Sequence, residues 1–340
     1  MLCYNMVKVM SRILLSILLI WFSTANRALA EPPEVVVDIA PVHSLVSMVM
    51  KGVGEPTLII PANASPHDYT LRPSAAKALQ NADIIFWMGS SLTPWLDRAT
   101  TTLMKDAQMI ALLETEDTIV LEVRDELTFD ADHGDHEGHE DHEEHEDHDG
   151  HEDHDEHKDH VSEHKDGHDH HGIDPHAWLS AKNASVWLSV IAAHLSEIDP
   201  KNKETYKTNA AVGQKDLTDL ATDISKTLNG VQGRSFIVYH DAFQYFENDF
   251  NFTAAGAISP SDAAPASPAR IAAIRSMIEK EGIDCILSEP QYSQGLIQSV
   301  SSGTEVNLGI IDAIGAGITI GPDLYNTLMR NMAKTFADCL

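Results

Sequence analysis

Residues 201–230 read KNKETYKTNAAVGQKDLTDLATDISKTLNG, and this stretch decides the architecture that we predict for the chain. Four apolar residues recur in it at helical spacing: Leu217, Leu220, Ile224 and Leu228. Asp199-Pro200 suits a helix start, and Asn229-Gly230 suits a helix end. A helix of about 30 residues would be roughly 45 Å long. That length favours a strut between two lobes over a crossover within one sheet.

Short apolar runs separated by helical patterns flank this helix on both sides. They are VVVDIA (35–40), TLII (57–60), ADIIFWMG (82–89) and MIALLE (109–114), then RSFIVYH (234–240), FTAAGAI (252–258), CILSEP (285–290) and VNLGIID (306–312). Such an order predicts parallel sheets built from βα units. We therefore expect an α/β protein with two Rossmann-like lobes, at 31–198 and 231–340, joined by one long rigid helix at 199–230. The ligand site of such folds lies beyond the carboxyl ends of the strands, here in the cleft between the lobes.

The first thirty residues have the features of a signal peptide. Lys8 and Arg12 precede the apolar run ILLSILLIWF (13–22), and Ala28-Leu29-Ala30 fits the small-residue cleavage rule. The run is about half the length that crosses a bilayer, and Cys3 does not lie at the cleavage point, so a membrane or lipid anchor is the weaker alternative. We expect export to the periplasm and cleavage after Ala30.

Removal of this segment would leave two cysteines, Cys285 and Cys339. In an oxidising compartment they are expected to pair, which would close a loop of about 55 residues and contribute roughly 4 kcal/mol by the loop-entropy model. Two buried free thiols are the alternative.

A tract rich in histidine and carboxylates dominates the charge of the chain. Residues 130–171 hold 19 of the Asp and Glu residues and two lysines, whereas the whole chain carries −29. The tract repeats histidine with a period of three, which matches neither helix nor strand, and it has almost nothing apolar to bury. We therefore predict a disordered, solvated insertion in the first lobe at 130–172. The absence of a basic stripe argues against nucleic acid as a partner.

The composition of the tract favours auxiliary metal binding over a charged linker, because a linker has no need for imidazole. We expect several weak sites, since a disordered segment loses conformational entropy when it wraps an ion. The histidines concerned are His133, His136, His139, His142, His145, His148, His151, His154, His157, His160, His164, His168, His170 and His171.

Three of the five remaining histidines stand where strand-like or helical segments begin or end. His67 follows TLII, His240 ends SFIVYH, and His176 precedes a helical segment, while Asp312 ends VNLGIID. Neutral imidazoles with at most one carboxylate suit zinc, whose usual shell has four N, S or O ligands. Each histidine alone is as well explained by a capping or core-edge role.

His43 and His194 have the ordinary interpretation of histidines within the fold. His43 lies in APVHSL after the first strand, and His194 lies in the helical segment before the strut. Neither is predicted to bind a metal.

Several linked motifs together resemble a known family over the range from about residue 34 to the C-terminus. They are PHDYTLRPS with LQNADIIFWMG, DPHAWLS, YHDAFQYFENDF, and CILSEPQYS followed by GIIDAIG. The chain resembles the zinc-uptake family of periplasmic substrate-binding proteins of ABC transporters, within the metal-binding cluster A-I. The resemblance implies two α/β lobes bridged by a long helix and a disulfide between Cys285 and Cys339.

The same resemblance implies His67, His176 and His240 as the metal ligands. Asp312 matches a position that supplies a carboxylate in manganese- and iron-binding relatives, which usually have a carboxylate where this chain has His240, so the set favours zinc. Some zinc members have Glu before the first ligand, where this chain has Pro66. The fourth ligand is then Asp312, which we rank first, a water, or a histidine of the tract.

The function implied is capture of Zn²⁺ and its delivery to an inner-membrane ABC permease with its cytoplasmic ATPase. We expect a monomer, with periplasmic zinc chaperones as further candidate partners, and no enzymatic activity. One alternative is an extracytoplasmic zinc buffer or metallochaperone that works through the tract. Another is a zinc hydrolase, although the tract offers His-Glu-x-His and never the His-Glu-x-x-His that places two ligands and a base on one helix face.

Overall fold

The computed structural model describes residues 31–104, 107–124, 129, 172–259, 266–292 and 294–340. The signal-peptide prediction and the histidines of the tract lie outside these residues. The described residues from Pro33 onward form one compact unit. Among the described residues, no helix combines the length and apolarity needed to cross a bilayer.

The first lobe is built on a four-stranded parallel sheet with the order β2-β1-β3-β4. Its strands are β1 Val35–Val37, β2 Thr57–Leu58, β3 Ile84–Trp87 and β4 Gln108–Ala111. The helices between them are α1 Ala40–Met50, α2 Pro73–Asn81 and α3 Pro94–Leu103. The residues of β1 and β3 are all buried, as expected when helices cover both faces of a parallel sheet.

Two antiparallel helices lead from this lobe to the next. Helix α4 Ala181–Ile198 begins at Ser180, whose hydroxyl accepts a hydrogen bond from the Asn183 N–H at 3.2 Å. The long helix α5 Lys203–Thr227 follows, with 25 residues and a length of about 37 Å. Short 3₁₀ turns at Pro200–Asn202 and Leu228–Gly230 flank it.

The apolar stripe predicted for the long helix is buried along its whole length. The predicted N-cap differs, because α5 begins after Asn202 and the Asp199 side chain accepts from the side chains of Asn202 and Tyr206. The early proline opens a 3₁₀ turn first, which moves the start of the α-helix three residues along. At Gly213 a Cβ atom would lie 2.8 Å from Cδ1 of Leu188, so glycine allows α4 and α5 to approach closely.

The second lobe repeats the topology of the first, with a parallel sheet in the order β6-β5-β7-β8. Its strands are β5 Phe236–Val238, β6 Gly256–Ala257, β7 Cys285–Ser288 and β8 Asn307–Ile310. Its helices are α6 Gln244–Phe250, α7 Pro268–Glu281, α8 Gln294–Ser301 and α9 Leu324–Cys339. The predicted α/β class with two parallel sheets and a long linking helix is confirmed.

Helix α9 ties the second lobe to the first. The Tyr325 hydroxyl donates to the carbonyl of Trp178 at 2.8 Å, and the Trp178 indole donates to the carbonyl of Ala313 at 2.7 Å. Ser44 of α1 donates to the carbonyl of Pro322 at 2.9 Å. These bonds cross between the lobes near the carboxyl ends of the strands, so they fix the walls of the cleft.

The two cysteines form a disulfide that joins the start of β7 to the end of α9. Cys285 and Cys339 are 54 residues apart in sequence. The predicted bridge is confirmed, and the free-thiol alternative is wrong.

Candidate metal centre

Three histidines from separate segments converge in the cleft. Their potential ligand atoms all lie within 4.8 Å of one another, in a group made of His67, His176 and His240. His67 lies in the loop after β2, His176 directly precedes the 3₁₀ turn Ala177–Leu179, and His240 follows β5. The fold thus brings together three of the residues singled out in the sequence as candidate ligands.

His67 is held by the loop that carries it. The indole of Trp95, in the first turn of α3, donates to the carbonyl of Pro66 at 3.0 Å. This bond fixes the backbone immediately before His67. The Nε2 atom of His67 lies 3.3 Å from Nε2 of His176, so the two rings turn the same atom toward each other.

His176 is oriented by a carboxylate two residues earlier in the chain. Oδ1 of Asp174 accepts from the backbone N–H of His176 at 2.9 Å and lies 2.7 Å from its Nδ1. Donation from Nδ1–H leaves Nε2 as the lone-pair atom, which is the tautomer that a metal needs. Asp174 is fully buried, and burial raises its pKa to about 7 against the lowering effect of the His176 N–H and the charge of Arg124.

His240 is oriented in the same way from further along the chain. Its Nδ1 lies 2.6 Å from Oε1 of Glu289, a buried carboxylate just after β7. The ring also packs edge-on against Tyr292, with the centroids 5.7 Å apart. Two of the three imidazoles therefore have a carboxylate behind them, an arrangement that fixes the ring and raises its basicity toward a metal.

A mostly buried arginine connects the two lobes beside this group. The guanidinium of Arg124 makes a two-pronged pair with Asp241, next to His240, and a third bond of 2.9 Å with Glu247 of α6. Burial by itself would lower the pKa of Arg124, but the pairs with Asp241 and Glu247 raise it above its ordinary value. The Phe129 ring lies 3.9 Å from the guanidinium carbon.

The chain on either side of the tract is closed into a short antiparallel ladder. Glu122 pairs with Ile173, and the Val123 N–H donates to the carbonyl of Gly172 at 2.7 Å. The Asp174 N–H donates to the carbonyl of Leu121 at 2.8 Å. These bonds hold residues 121–123 against residues 172–174, and Phe129, the last described residue before the tract, separately donates its N–H to the carbonyl of Ala255 at 3.0 Å.

The three histidines line a cavity of about 20 Å³, which has room for one ion or one water molecule. Its other walls come from both lobes: Ser65, Pro66, Trp178, Glu289, Gln291, Tyr292, Ala313 and Ile314. Nitrogen ligands around a volume of this size suit a single borderline cation such as Zn²⁺ better than a hard cation, which prefers oxygen.

Asp312 follows β8, as the sequence indicates, but lies outside the group of three histidines. Its Oδ1 accepts from the N–H groups of Ile314 and Gly315 at 3.0 and 2.9 Å. Burial raises its pKa, and these N–H bonds lower it. Its role as the fourth ligand stays a prediction.

The two histidines set aside in the sequence have structural contacts. His43 lies between the Pro56 carbonyl, 3.0 Å from Nε2, and the Ser47 hydroxyl, 3.2 Å from Nδ1. His194 packs edge-on against Phe86, with the ring centroids 6.4 Å apart.

The orienting carboxylates and Arg124 were not singled out in the sequence. Asp174 stands in the motif DPHAWLS two residues before His176, and this spacing could have identified it. Glu289 lies 49 residues from His240, and only the pairing of β5 with β7 brings them together.

A protein-family comparison identifies the chain. The model of ZnuA, described as the periplasmic component A of a zinc-uptake complex, matches residues 35–339. The chain belongs to the ZnuA family.

Curated relatives in the ZnuA family match over almost their full length. The high-affinity zinc uptake system protein ZnuA of Paracoccus denitrificans is 43% identical over 319 residues, which cover 94% of this chain and 95% of that protein. The protein of the same name from Brucella abortus is 43% identical over 312 residues, covering 91% and 92%.

Solved structures show the same fold. A crystal structure of ZnuA superposes with a TM-score of 0.70 at 19% identity and covers 90% of this chain and 98% of that one. A zinc-bound ZnuA deletion mutant gives a TM-score of 0.68 at 18% identity, covering 90% and 97%.

Proposed function

We propose that this protein captures Zn²⁺ in the cleft with His67, His176 and His240 and delivers it to an inner-membrane ABC permease. The observation that carries the proposal is the convergence of three imidazoles within 4.8 Å in a chain of the ZnuA family. The curated relatives named above are zinc uptake proteins, which supports the choice of ion.

The chemistry of the three side chains favours zinc over manganese. Neutral imidazoles suit Zn²⁺, whereas Mn²⁺ prefers carboxylates, carbonyls and water. Asp174 and Glu289 increase the electron density on two of the rings without binding the ion themselves.

Release to the permease would proceed through small movements of the lobes. Several bonds cross between the lobes close to the histidines. They are the hydrogen bonds of Tyr325 and Trp178 and the ion pair of Arg124 with Asp241. Wide hinge opening would break all of them, whereas contact with a permease needs to loosen only the loops that carry the ligands.

The tract at 130–171 would gather zinc at lower affinity, and the preceding signal peptide would direct the chain to the periplasm. In the alternative function, the protein is a zinc buffer or metallochaperone, and the tract is its main zinc-binding site. The preorganised cleft favours the importer, because its ligands are already oriented by carboxylates.

Zinc titration of a variant that lacks residues 130–171 tests the cleft assignment. A Gly-Ser linker between Phe129 and Gly172 replaces the segment in this variant. We expect one tight site by isothermal titration, lost in His67→Ala and His240→Ala and retained in the control His194→Ala. A variant without any tight site, or one that keeps it after His240→Ala, would disprove the assignment.

Growth of a strain under zinc limitation separates the importer from the buffer. If the protein serves a permease, the deletion variant supports most of the growth of the full chain, and His240→Ala supports little. If the protein is a buffer, the order is reversed.

A further inference from the structure

Gln291 is one of the residues that line the cavity of the three histidines. Among the residues that the structure describes, its buried Oε1 atom has no hydrogen-bond partner. A buried acceptor without a donor is uncommon, and in a residue that lines a binding site it indicates a water or an ion that satisfies it. This makes Gln291 a candidate residue of the site.

A tight turn holds Gln291 in place. The Tyr292 N–H donates to the Glu289 carbonyl at 3.2 Å, which places Pro290 and Gln291 at the two central positions of the turn. Proline is favoured at the first of these positions because its ring fixes φ. The turn therefore couples Gln291 to Glu289, the carboxylate behind His240.

The residue after Gln291 is also fixed. The Tyr292 ring stacks on Tyr239 with the centroids 4.2 Å apart and the planes at 10°, and it contacts the His240 ring edge-on. Glu289 and Tyr292, the first and last residues of the turn, both contact His240, so the turn keeps Gln291 beside the cavity.

Zinc bound by three imidazoles has one coordination position left. The usual protein ligands of zinc are thiolates, imidazoles and carboxylates, and a neutral amide oxygen is not among them. A water in that position is polarised by the ion and becomes a strong hydrogen-bond donor. The acceptor that it requires corresponds to the oxygen that Gln291 offers.

We propose that a water molecule fills the fourth position of the zinc and donates a hydrogen bond to Oε1 of Gln291. This inference rests on the proposed function of the three histidines. Gln291 is then a positioning residue, which holds the water without touching the ion. Asp312, whose Oδ1 accepts two backbone N–H bonds, remains outside the shell.

Three variants of the full-length protein test this role. Their zinc affinity is measured by competition with a chelator, with at most one equivalent of zinc added. Gln291→Leu removes the acceptor at similar size. We expect it to lower the affinity for the first zinc ion about tenfold. Gln291→Glu restores an acceptor and should bind within about twofold of the wild type or more tightly, given its negative charge. Gln298→Leu, at an exposed position of α8, is the matched control and should have no effect.

A crystal structure of the zinc-loaded full chain gives a readout independent of affinity. We expect a water about 2.0–2.2 Å from the zinc, as for other oxygen ligands. The same water should lie about 2.7–3.0 Å from Oε1 of Gln291. Direct ligation by Asp312 or by Gln291 itself would overturn the proposal.

The affinities separate failure of this inference from failure of the proposed function. If the full chain has a tight first site that His240→Ala abolishes but Gln291→Leu leaves unchanged, only the role of Gln291 is wrong. It is equally wrong if Gln291→Glu is as weak as Gln291→Leu. If His240→Ala does not change the affinity for the first zinc ion, the cleft is not the site and both proposals are wrong. Matching unfolding midpoints would show that the variants are folded.

Discussion

At the scale of single residues, the site depends on side chains behind the histidines as much as on the histidines. A neutral imidazole has two tautomers, and only the one with the proton on Nδ1 presents Nε2 to a metal. Asp174 and Glu289 select that tautomer at His176 and His240. Selection before the ion arrives reduces the conformational entropy lost on binding.

We predict that Glu289→Gln weakens zinc binding in the cleft about tenfold or more. The amide keeps the size of the side chain but loses the charge that makes His240 more basic, and outer-shell changes of this kind typically reduce metal affinity 10–100-fold. Chelator competition at one equivalent of zinc measures the loss. Glu281→Gln, at the exposed end of α7, is the control, and an equal effect in both variants would contradict the role of Glu289.

The histidines could be identified from the sequence because each stands in a recognisable motif at the end of a strand or beside a helix. Their orienting partners could not be identified with equal ease. Glu289 meets His240 only because β5 and β7 are neighbours in the sheet, a fact that the linear spacing does not contain. Gln291 was missed because an amide is not a usual zinc ligand, so a search for ligand types passes over it.

At the scale of structural elements, Arg124, two residues after Glu122 of the ladder, makes contacts with the loop after β5 and with α6. Its guanidinium is mostly buried, with a side-chain exposure of 13%, and it contacts two carboxylates. Such a cluster has a large desolvation cost that its mutual attractions offset. Removal of the cation alone would leave Asp241 and Glu247 buried together.

We predict that Arg124→Ala lowers the free energy of unfolding by about 3–5 kcal/mol, the range seen when one partner of a buried pair is removed. Arg330→Ala removes an exposed pair with Asp223 and should cost less than about 1 kcal/mol. Urea denaturation of the two variants gives the comparison. Equal losses would show that the Arg124 cluster contributes no more than a surface pair.

Elements were predictable wherever hydrophobic periodicity was strong. Each of the eight apolar runs overlaps one of the strands, and the buried stripe of α5 follows the predicted positions. The boundaries were less well determined. Only two residues of TLII pair in the sheet, and Pro200 opens a 3₁₀ turn where an α-helix start was expected, because local proline geometry prevailed over the helical pattern.

At the scale of the whole molecule, two sheets of the same strand order place their carboxyl ends at one cleft. The disulfide lies at the other end of the second sheet, since Cys285 begins β7 and Glu289 follows its last residue. The bridge therefore stabilises the lobe at a distance from the candidate metal site.

We predict that the double variant Cys285→Ser/Cys339→Ser loses about 2–5 kcal/mol of stability, as is typical when a native disulfide is removed. Its affinity for the first zinc should remain within about twofold of the wild type, because the ligand loops lie at the opposite end of β7. Thermal unfolding and chelator competition measure the two quantities. A large loss of affinity in the folded variant would show that the bridge also determines the geometry of the cleft.

The ladder at Glu122 and Ile173 has a consequence for how this chain can vary over evolutionary time. Closing a longer loop is only slightly harder than closing a shorter one, at about 0.6 kcal/mol for each doubling in length. Because Glu122 and Ile173 pair on either side of the tract, gain or loss of His-containing triplets within it would leave the histidines of the cleft in place. If the tract binds zinc as we propose, its capacity for metal can then change independently of the affinity of the cleft.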